Sequence, residues 1–224
     1  RGYERAPEGA FYVDADGSYV DCSNQIVVDA ETGSARLTST EDELLDLGSI
    51  YPDWTAGMSH SLSYKGFRLG LSFSAQWGGK TYSMTHFALA YQGKLKNSLK
   101  GRYAGMIVPG VNLNENGTYS KNTTITTDIV DHYTNYVYAR ENAEENVFDT
   151  SFLKLKELRL EYSLPRHLCS KTRVFQGITV GVYATNLFCW TPYSGFDPEV
   201  DTRRATPMTP NVDYSAYPKS RSWV

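Results

Sequence analysis

The stretch that decides the fold is residues 67–77, which read FRLGLSFSAQW. Apolar residues alternate strictly with polar or small ones from Phe67 to Trp77. A period of two is the pattern of a β-strand with one apolar face. Residues 56–64 alternate in the same way, with Lys65-Gly66 between the two runs. The pattern therefore predicts a hairpin with a very short turn.

A second hairpin is predicted from Phe152–Tyr162 and Val174–Thr185. In the first of these strands the apolar residues occupy odd-numbered positions at Leu153 and Leu155 and even-numbered positions from Leu158 onward. This change indicates a β-bulge near Lys156-Glu157. Pro165 ends that strand, because proline cannot donate a hydrogen bond to a central ladder.

Strand length points to a membrane. Phe67 and Trp77 lie ten residues apart on one face, which spans roughly 23 Å along the membrane normal at a tilt of about 45°. The apolar band of a membrane β-barrel is about 25 Å tall, with aromatic side chains at both rims. The chain is also rich in tyrosine, with 17, a residue favoured at membrane interfaces.

Connection lengths agree with this interpretation. The connections at Lys65-Gly66 and at 165–171 are short, whereas 78–146 and 187–219 are expected to be long extracellular loops. Residues 1–53 are turn-rich, with short strands expected at Phe11–Val13 and Gln25–Asp29 around the Asp16-Gly17 turn, and are assigned to the extracellular side. The fold class is thus all-β: an antiparallel transmembrane barrel segment, residues 54–224, of about four strands plus the start of a fifth. So few strands cannot close a barrel, and the remainder would come from another segment.

Composition and motifs argue against other functions. The net charge of -3 and pI near 5.8 do not indicate a nucleic-acid partner. Three cysteines and four scattered histidines have no metal-ligand spacing, so no metal or cofactor is expected. Asp197 and Glu199 could be paired catalytic carboxylates, but their place in a loop favours a structural role. No catalytic residue is predicted, and the chain is expected not to be an enzyme.

Aromatic side chains in the predicted loops are the candidate ligand contacts. Stacking of aromatic rings on a ligand is the reason for choosing them, and packing within the loops is the alternative. The four selected are Tyr82, Tyr91, Trp190 and Tyr193, with Phe87 and Tyr103 as further possibilities.

Two other functions stay open at this point. A soluble or surface β-domain that binds carbohydrate would also have alternating strands. A glycoside hydrolase is the third possibility. A requirement for detergent would separate the membrane segment from both, and turnover of glycosides would separate the last two.

Three blocks of the chain resemble the SusC/RagA family of TonB-dependent outer-membrane transporters, in the right order over about residues 50–200. They are PDW at 52–54 with SYKGF at 63–67 and GG at 78–79, SFLKLK at 151–156 with LEYSLP at 160–165, and NLFCWTPYSGFDPE at 186–199. The resemblance implies a 22-stranded barrel of which this chain is the C-terminal part. The plug domain, the TonB box and a signal peptide are absent from the chain.

The same resemblance implies a function and partners. Members of the family import a nutrient, commonly a glycan and sometimes a peptide, across the outer membrane of Bacteroidetes. They pair with a SusD-like surface lipoprotein and draw energy from the TonB complex, which would act through the missing N-terminal part. Outer-membrane lipid is the remaining expected partner.

Overall fold

A computed structural model describes residues 1–38, 46–169, 175, 177–199, 212–214 and 219–224, which are mostly strands with few helices. The strands are β1 (Phe11–Val13), β2 (Tyr19–Asp21), β3 (Val27–Val28), β4 (Pro52–Tyr64), β5 (Phe67–Gly78), β6 (Lys80–Ser83), β7 (Met106–Ile107), β8 (Val111–Leu113), β9 (Tyr119–Lys121), β10 (Ile125–Thr126), β11 (Val147–Asp149), β12 (Phe152–Ser163), β13 (Thr179–Trp190), β14 (Val212–Asp213) and β15 (Ser222–Trp223). The helices are α1 (Met84–Tyr91), α2 (Ile129–Asp131) and α3 (Arg166–Cys169), with helical turns at Lys96–Leu99, His132–Val137 and Glu144–Asn146. In the part of the chain that is described, none of these helices has the length and apolar character needed to cross a membrane.

The chain divides into two compact units. The first contains Arg1–Leu47 and Tyr82–Val147, and the second contains Gly48–Thr81 and Phe148–Val224. Strands β6 and β11 carry the chain from one unit to the other. The residues predicted to form barrel strands all fall in the second unit.

The second unit is built on one antiparallel sheet with the strand order β15-β13-β12-β5-β4. The predicted first hairpin is confirmed, with Tyr64 opposite Phe67 and Trp54 opposite Trp77. Its turn residues Lys65 and Gly66 have φ values of 45° and 91°, as in the two-residue turns that match strand twist. Four long strands and a two-residue fifth strand agree with the expected all-β segment.

Strand β12 lies between β5 and β13, and the predicted bulge is confirmed. The register shifts between Leu155 and Glu157 against both neighbours. On the β13 side the irregularity coincides with Asn186, whose φ is 53°. The bulge returns the apolar side chains of β12 to one face after Lys156.

The predicted second strand of that hairpin was placed too early. Strand β13 runs over Thr179–Trp190 rather than Val174–Thr185, and Val174 itself lies outside the described residues. The irregularity at Asn186 interrupts the alternation and so concealed the second half of the strand. As a result Trp190, expected in the loop 187–219, is the last residue of a strand.

The first unit contains three small sheets. The hairpin predicted around Asp16-Gly17 exists, but its second strand is Tyr19–Asp21 rather than Gln25–Asp29. That prediction was wrong because the turn is tight, with Gly17 at φ 84°, so pairing resumes at Tyr19. Strand β3 instead pairs in parallel with β8, which also pairs with β9, and β7 pairs with β10.

Residues 78–146, expected to form an extended loop, contain helices, short strands and buried side chains. One apolar cluster in this segment consists of Ala90, Ile129, Tyr133 and Tyr138. Another joins Val108 to Tyr3, Val28 and Ala35 from the N-terminal segment. The segment therefore folds together with residues 1–47, and its elements are too short for hydrophobic periodicity to predict. The extracellular position of both segments stays a prediction.

Candidate functional site

One face of the five-stranded sheet is apolar along its length except at His60. Cross-strand pairing aligns its side chains in four rows: Tyr64 with Phe67, Tyr162 and Val180; Leu62 with Leu69, Leu160 and Val182; His60 with Leu71, Leu158 and Ala184; and Met58 with Phe73, Leu155 and Phe188. Many of them are exposed, including Leu62 at 53% and Val180 at 63%. A contiguous exposed apolar surface marks an interaction site with lipid or protein.

Aromatic rings mark both ends of this apolar face. At one end Trp54 and Trp77 stack with centroids 6.4 Å apart, and Phe188 and Trp190 stack at 5.7 Å. At the other end Phe67 and Tyr162 lie 4.5 Å apart, next to Tyr64. Aromatic residues at both limits of an apolar band are typical of strands that cross a bilayer.

The opposite face of the same sheet is polar. Ser59 and Ser72 face each other across β4 and β5 with their hydroxyl oxygens 3.4 Å apart. Further along, Arg159 pairs with Glu161 at 2.6 Å, and Arg68 approaches the same carboxylate at 3.8 Å. The sheet therefore has one largely apolar face and one polar, charged face.

A cluster of lysines and carboxylates lies on this polar face, at the end where β12 begins. The Lys154 ammonium, whose side chain is only 6% exposed, contacts Asp197 and lies 3.0 Å from Glu199. Glu199 also accepts hydrogen bonds from Lys156 at 2.6 Å and from Lys219 at 2.5 Å. These contacts, here called the lysine–carboxylate cluster, attach the loop after β13 to the sheet.

The cluster controls the ionisation of Glu199. Burial by itself would raise the pKa of this carboxyl, but hydrogen bonds from Lys156, Lys219 and Lys154 outweigh burial and lower the pKa to about 2. Glu199 is therefore ionised at neutral pH, and buried charges of this kind require such partners. The structural role predicted for Asp197 and Glu199 agrees with these contacts.

A cleft of about 740 Å³ opens on the polar face beside the cluster. Its walls include Gln76 and Thr55 from the sheet, the ring of Phe152, and Glu199 with Lys219 from the cluster. Amide, hydroxyl and charged groups in these walls can hydrogen-bond to a polar ligand. The Phe152 ring is only 7% exposed and already lies under the Lys154 ammonium, 5.0 Å from the ring centroid.

The four predicted ligand contacts are divided between the two units. Tyr82 and Tyr91 belong to the first unit, whereas Trp190 and Tyr193 belong to the second. The Tyr82 hydroxyl donates to the Arg140 carbonyl at 3.4 Å, and Tyr91 is 53% exposed beside Phe87.

The two in the second unit have partners of their own. Trp190 stacks on Phe188, and Tyr193 is buried with its hydroxyl 2.8 Å from Asp213. A ligand-binding role for any of the four stays a prediction.

Two of the four histidines, His86 and His132, lie in the first unit, and His60 and His167 lie in the second. His132 is buried at 2% exposure, its Nδ1 has no hydrogen-bond partner, and burial lowers its pKa. His86 contacts the Asn146 side chain at 3.1 Å. Over the described ranges, no three side chains of the metal-ligating types converge.

Comparison with known proteins identifies a relative. No family model matches the chain. The TonB-dependent receptor P3 of Formosa agariphila is 26% identical over 222 residues, which cover 97% of this chain and 20% of that receptor. This chain is related to the TonB-dependent receptors. The resemblance found in the sequence blocks is thereby confirmed.

Solved structures agree with this relationship at the level of the fold. The match to the RagAB peptide importer in its closed-closed state covers 99% of this chain and 21% of the importer chain, with a TM-score of 0.58 and 23% identity. In the open-open state the TM-score is 0.54 at 21% identity, over 100% of this chain and 23% of that one. The chain thus spans about a fifth of the length of the proteins it matches. Those proteins are named as a receptor and an importer, not as enzymes.

The lysine–carboxylate cluster is the feature that sequence reasoning missed. Lys154 lies 43 residues from Asp197 and 45 residues from Glu199, so no local spacing relates them. One indication was available: a lysine in the middle of an alternating strand must be neutralised if its face is covered.

Proposed function

We propose that this chain forms the C-terminal part of the wall of a TonB-dependent outer-membrane importer. Its four long strands would contribute to a 22-stranded barrel plugged by a domain outside this chain. The observation that carries the proposal is the two-faced sheet of the second unit, whose apolar face has aromatic rings at both ends. A relative named as a TonB-dependent receptor supports it.

In this proposal the apolar face contacts outer-membrane lipid and the polar face lines the lumen. Segments 78–146 and 187–219 would face the cell exterior, because long connections of barrels lie on that side. The imported nutrient would be a peptide or an oligosaccharide. The peptide class is favoured because the matched structures are those of a peptide importer.

Within the polar face, the cleft beside the lysine–carboxylate cluster offers the best surface for cargo. Its wall combines the hydrogen-bonding side chains of Gln76 and Thr55 with the charged groups of Glu199 and Lys219. Of the two selected aromatic contacts in the first unit, Tyr91 is the more exposed. Tyr193 would act indirectly, because its ring is 5% exposed.

The proposed partners follow from the same assignment. A SusD-like surface lipoprotein would assemble with the extracellular side, and the TonB complex would act through an N-terminal part of the parent protein. No cofactor and no nucleic acid enter the proposal.

Cell fractionation tests the proposal. The parent protein is expected in the outer-membrane fraction with heat-modifiable mobility on gels, and an antibody to residues 78–146 should label intact cells. A tag inserted at the Lys65-Gly66 turn should be labelled only after the cells are permeabilised. Recovery without detergent would refute the importer and favour a soluble carbohydrate-binding β-domain.

A further inference from the structure

Two hairpins of the first unit have the same backbone design. Residues 14–19 read DADGSY and residues 114–119 read NENGTY, so equivalent residue numbers differ by 100. Asp14 N donates to Ser18 O at 2.9 Å, and Asn114 N donates to Thr118 O at 2.9 Å. In both turns the third side chain accepts from a backbone N–H at 3.1 Å, Asp16 from Ser18 and Asn116 from Thr118.

The outer faces of the two hairpins differ. In the β1–β2 hairpin Phe11, Val13 and Tyr19 share one face and are 54%, 55% and 76% exposed. The rings of Phe11 and Tyr19 meet edge to face at 5.3 Å. In the β8–β9 hairpin the residue equivalent to Phe11 is Val111, which is fully buried.

Charge distinguishes the hairpins further. Residues 6–35 contain six carboxylates and no lysine or arginine. Asp21 lies directly across from Phe11 on the exposed face, and Asp14 and Asp16 form the turn. Within the described part of the chain none of these three is in a salt bridge. The equivalent residues of the β8–β9 hairpin are Asn114, Asn116 and Lys121.

Local hydrogen bonds favour the charged form of two of these carboxylates. Hydrogen bonds from the backbone and side chain of Ser18 hold the pKa of Asp16 below its usual range, and Ser23 does the same for Asp21. Aromatic faces next to carboxylates attract cationic side chains, since the ring face is electronegative and guanidinium groups stack on it.

We propose that the exposed face of the β1–β2 hairpin is a binding surface for a short basic peptide. An arginine or lysine of the peptide would lie on the rings of Tyr19 and Phe11, and Asp14, Asp16 and Asp21 would pair with its charges. Three exposed apolar side chains can cover a few residues of a peptide. They are too few for a stable protein–protein interface, which buries about 800 Å² of surface on each partner. This proposal is separate from the importer function, because equilibrium binding does not depend on uptake.

The chain provides its own replacement residues for the test. The triple variant Asp14→Asn, Asp16→Asn, Asp21→Asn keeps at each position an Oδ1 atom that can accept the existing hairpin hydrogen bonds. The β8–β9 turn already folds with asparagine at two of the equivalent positions. Binding of the fluorescent peptide acetyl-GRFRG-amide to the detergent-solubilised parent protein is measured by anisotropy. We expect the triple variant to bind about tenfold more weakly, since it removes the exposed charge pairs made with the two arginines of the peptide, and each such pair contributes modestly. The affinity of the wild type should also fall as salt rises.

Three controls decide the outcome. The variant Glu115→Gln removes an exposed carboxylate from the other hairpin and should leave affinity unchanged. The peptide acetyl-GEFEG-amide should not bind. Tyr19→Ser tests the rings without altering charge and should weaken binding severalfold. Equal affinity of the wild type and the triple variant, or equal binding of both peptides, would overturn the proposal.

Discussion

The lysine–carboxylate cluster permits a quantitative prediction from the variant Lys154→Met. This change keeps the length of the side chain but removes the ammonium shared by Asp197 and Glu199. Asp197 would lose this ionic contact while its side chain is only 12% exposed. The loop containing both carboxylates should then separate more readily from β12.

The size of the effect follows from burial. Removing one partner of a buried ion pair costs about 3–5 kcal/mol. Glu199 would keep Lys156 and Lys219, and both carboxylates retain some contact with solvent, so we expect about 2–3 kcal/mol. Since about 1.4 kcal/mol is tenfold in an equilibrium constant, local opening becomes roughly 30- to 140-fold more frequent.

Hydrogen exchange followed by mass spectrometry measures this opening in the detergent-solubilised parent protein. The amide of Glu199, which donates to Asp197 Oδ1 at 2.9 Å, should exchange faster within the peptide 191–199. The matched control is Arg159→Met, which removes a 59% exposed cation from the same strand and should cost less than about 1 kcal/mol. Acceleration below about threefold, or equal to that of the control, would refute the reasoning.

Three further predictions use the same structure. Because the pKa of Glu199 is lowered to about 2, its contribution to stability is complete above about pH 4.5 and lost as the pH falls toward 2. In urea unfolding of the parent protein, stability should therefore decline less over this pH range in Glu199→Gln than in the wild type, since other carboxyl groups with lowered pKa values titrate in both. Leu71→Arg places a charge in the apolar face and should lower the free energy of unfolding by about 2–4 kcal/mol if that face meets lipid. It should therefore lower the outer-membrane yield of the parent protein, whereas Ser72→Arg on the polar face should leave that yield unchanged. Gly66→Ala should lower the free energy of unfolding by about 1–3 kcal/mol in the same assay, because the φ of Gly66 is 91° and a Cβ there would lie 2.8 Å from the Ser163 carbonyl oxygen. The control Gly57→Ala should change stability little, because a Cβ at that position meets no atom within 4 Å.

The apolar face could be predicted because its information is local. In residues 56–77 the period of two places successive side chains on opposite faces of the sheet, and this assignment does not depend on which strands pair. The Lys65-Gly66 turn and the bulge at Lys156 are also encoded over a few residues. The sequence by itself therefore determined the two-faced sheet, its first hairpin and the relationship to SusC/RagA proteins.

Only the tertiary structure decided how distant segments combine. The end of β13 was missed because Asn186 breaks the alternation, and the contacts of Lys154 involve residues more than 40 positions away. The packing of residues 78–146 with the N-terminal segment likewise depends on apolar clusters gathered from short elements. Such contacts form because burial and charge pairing act through space, and no spacing along the chain records them.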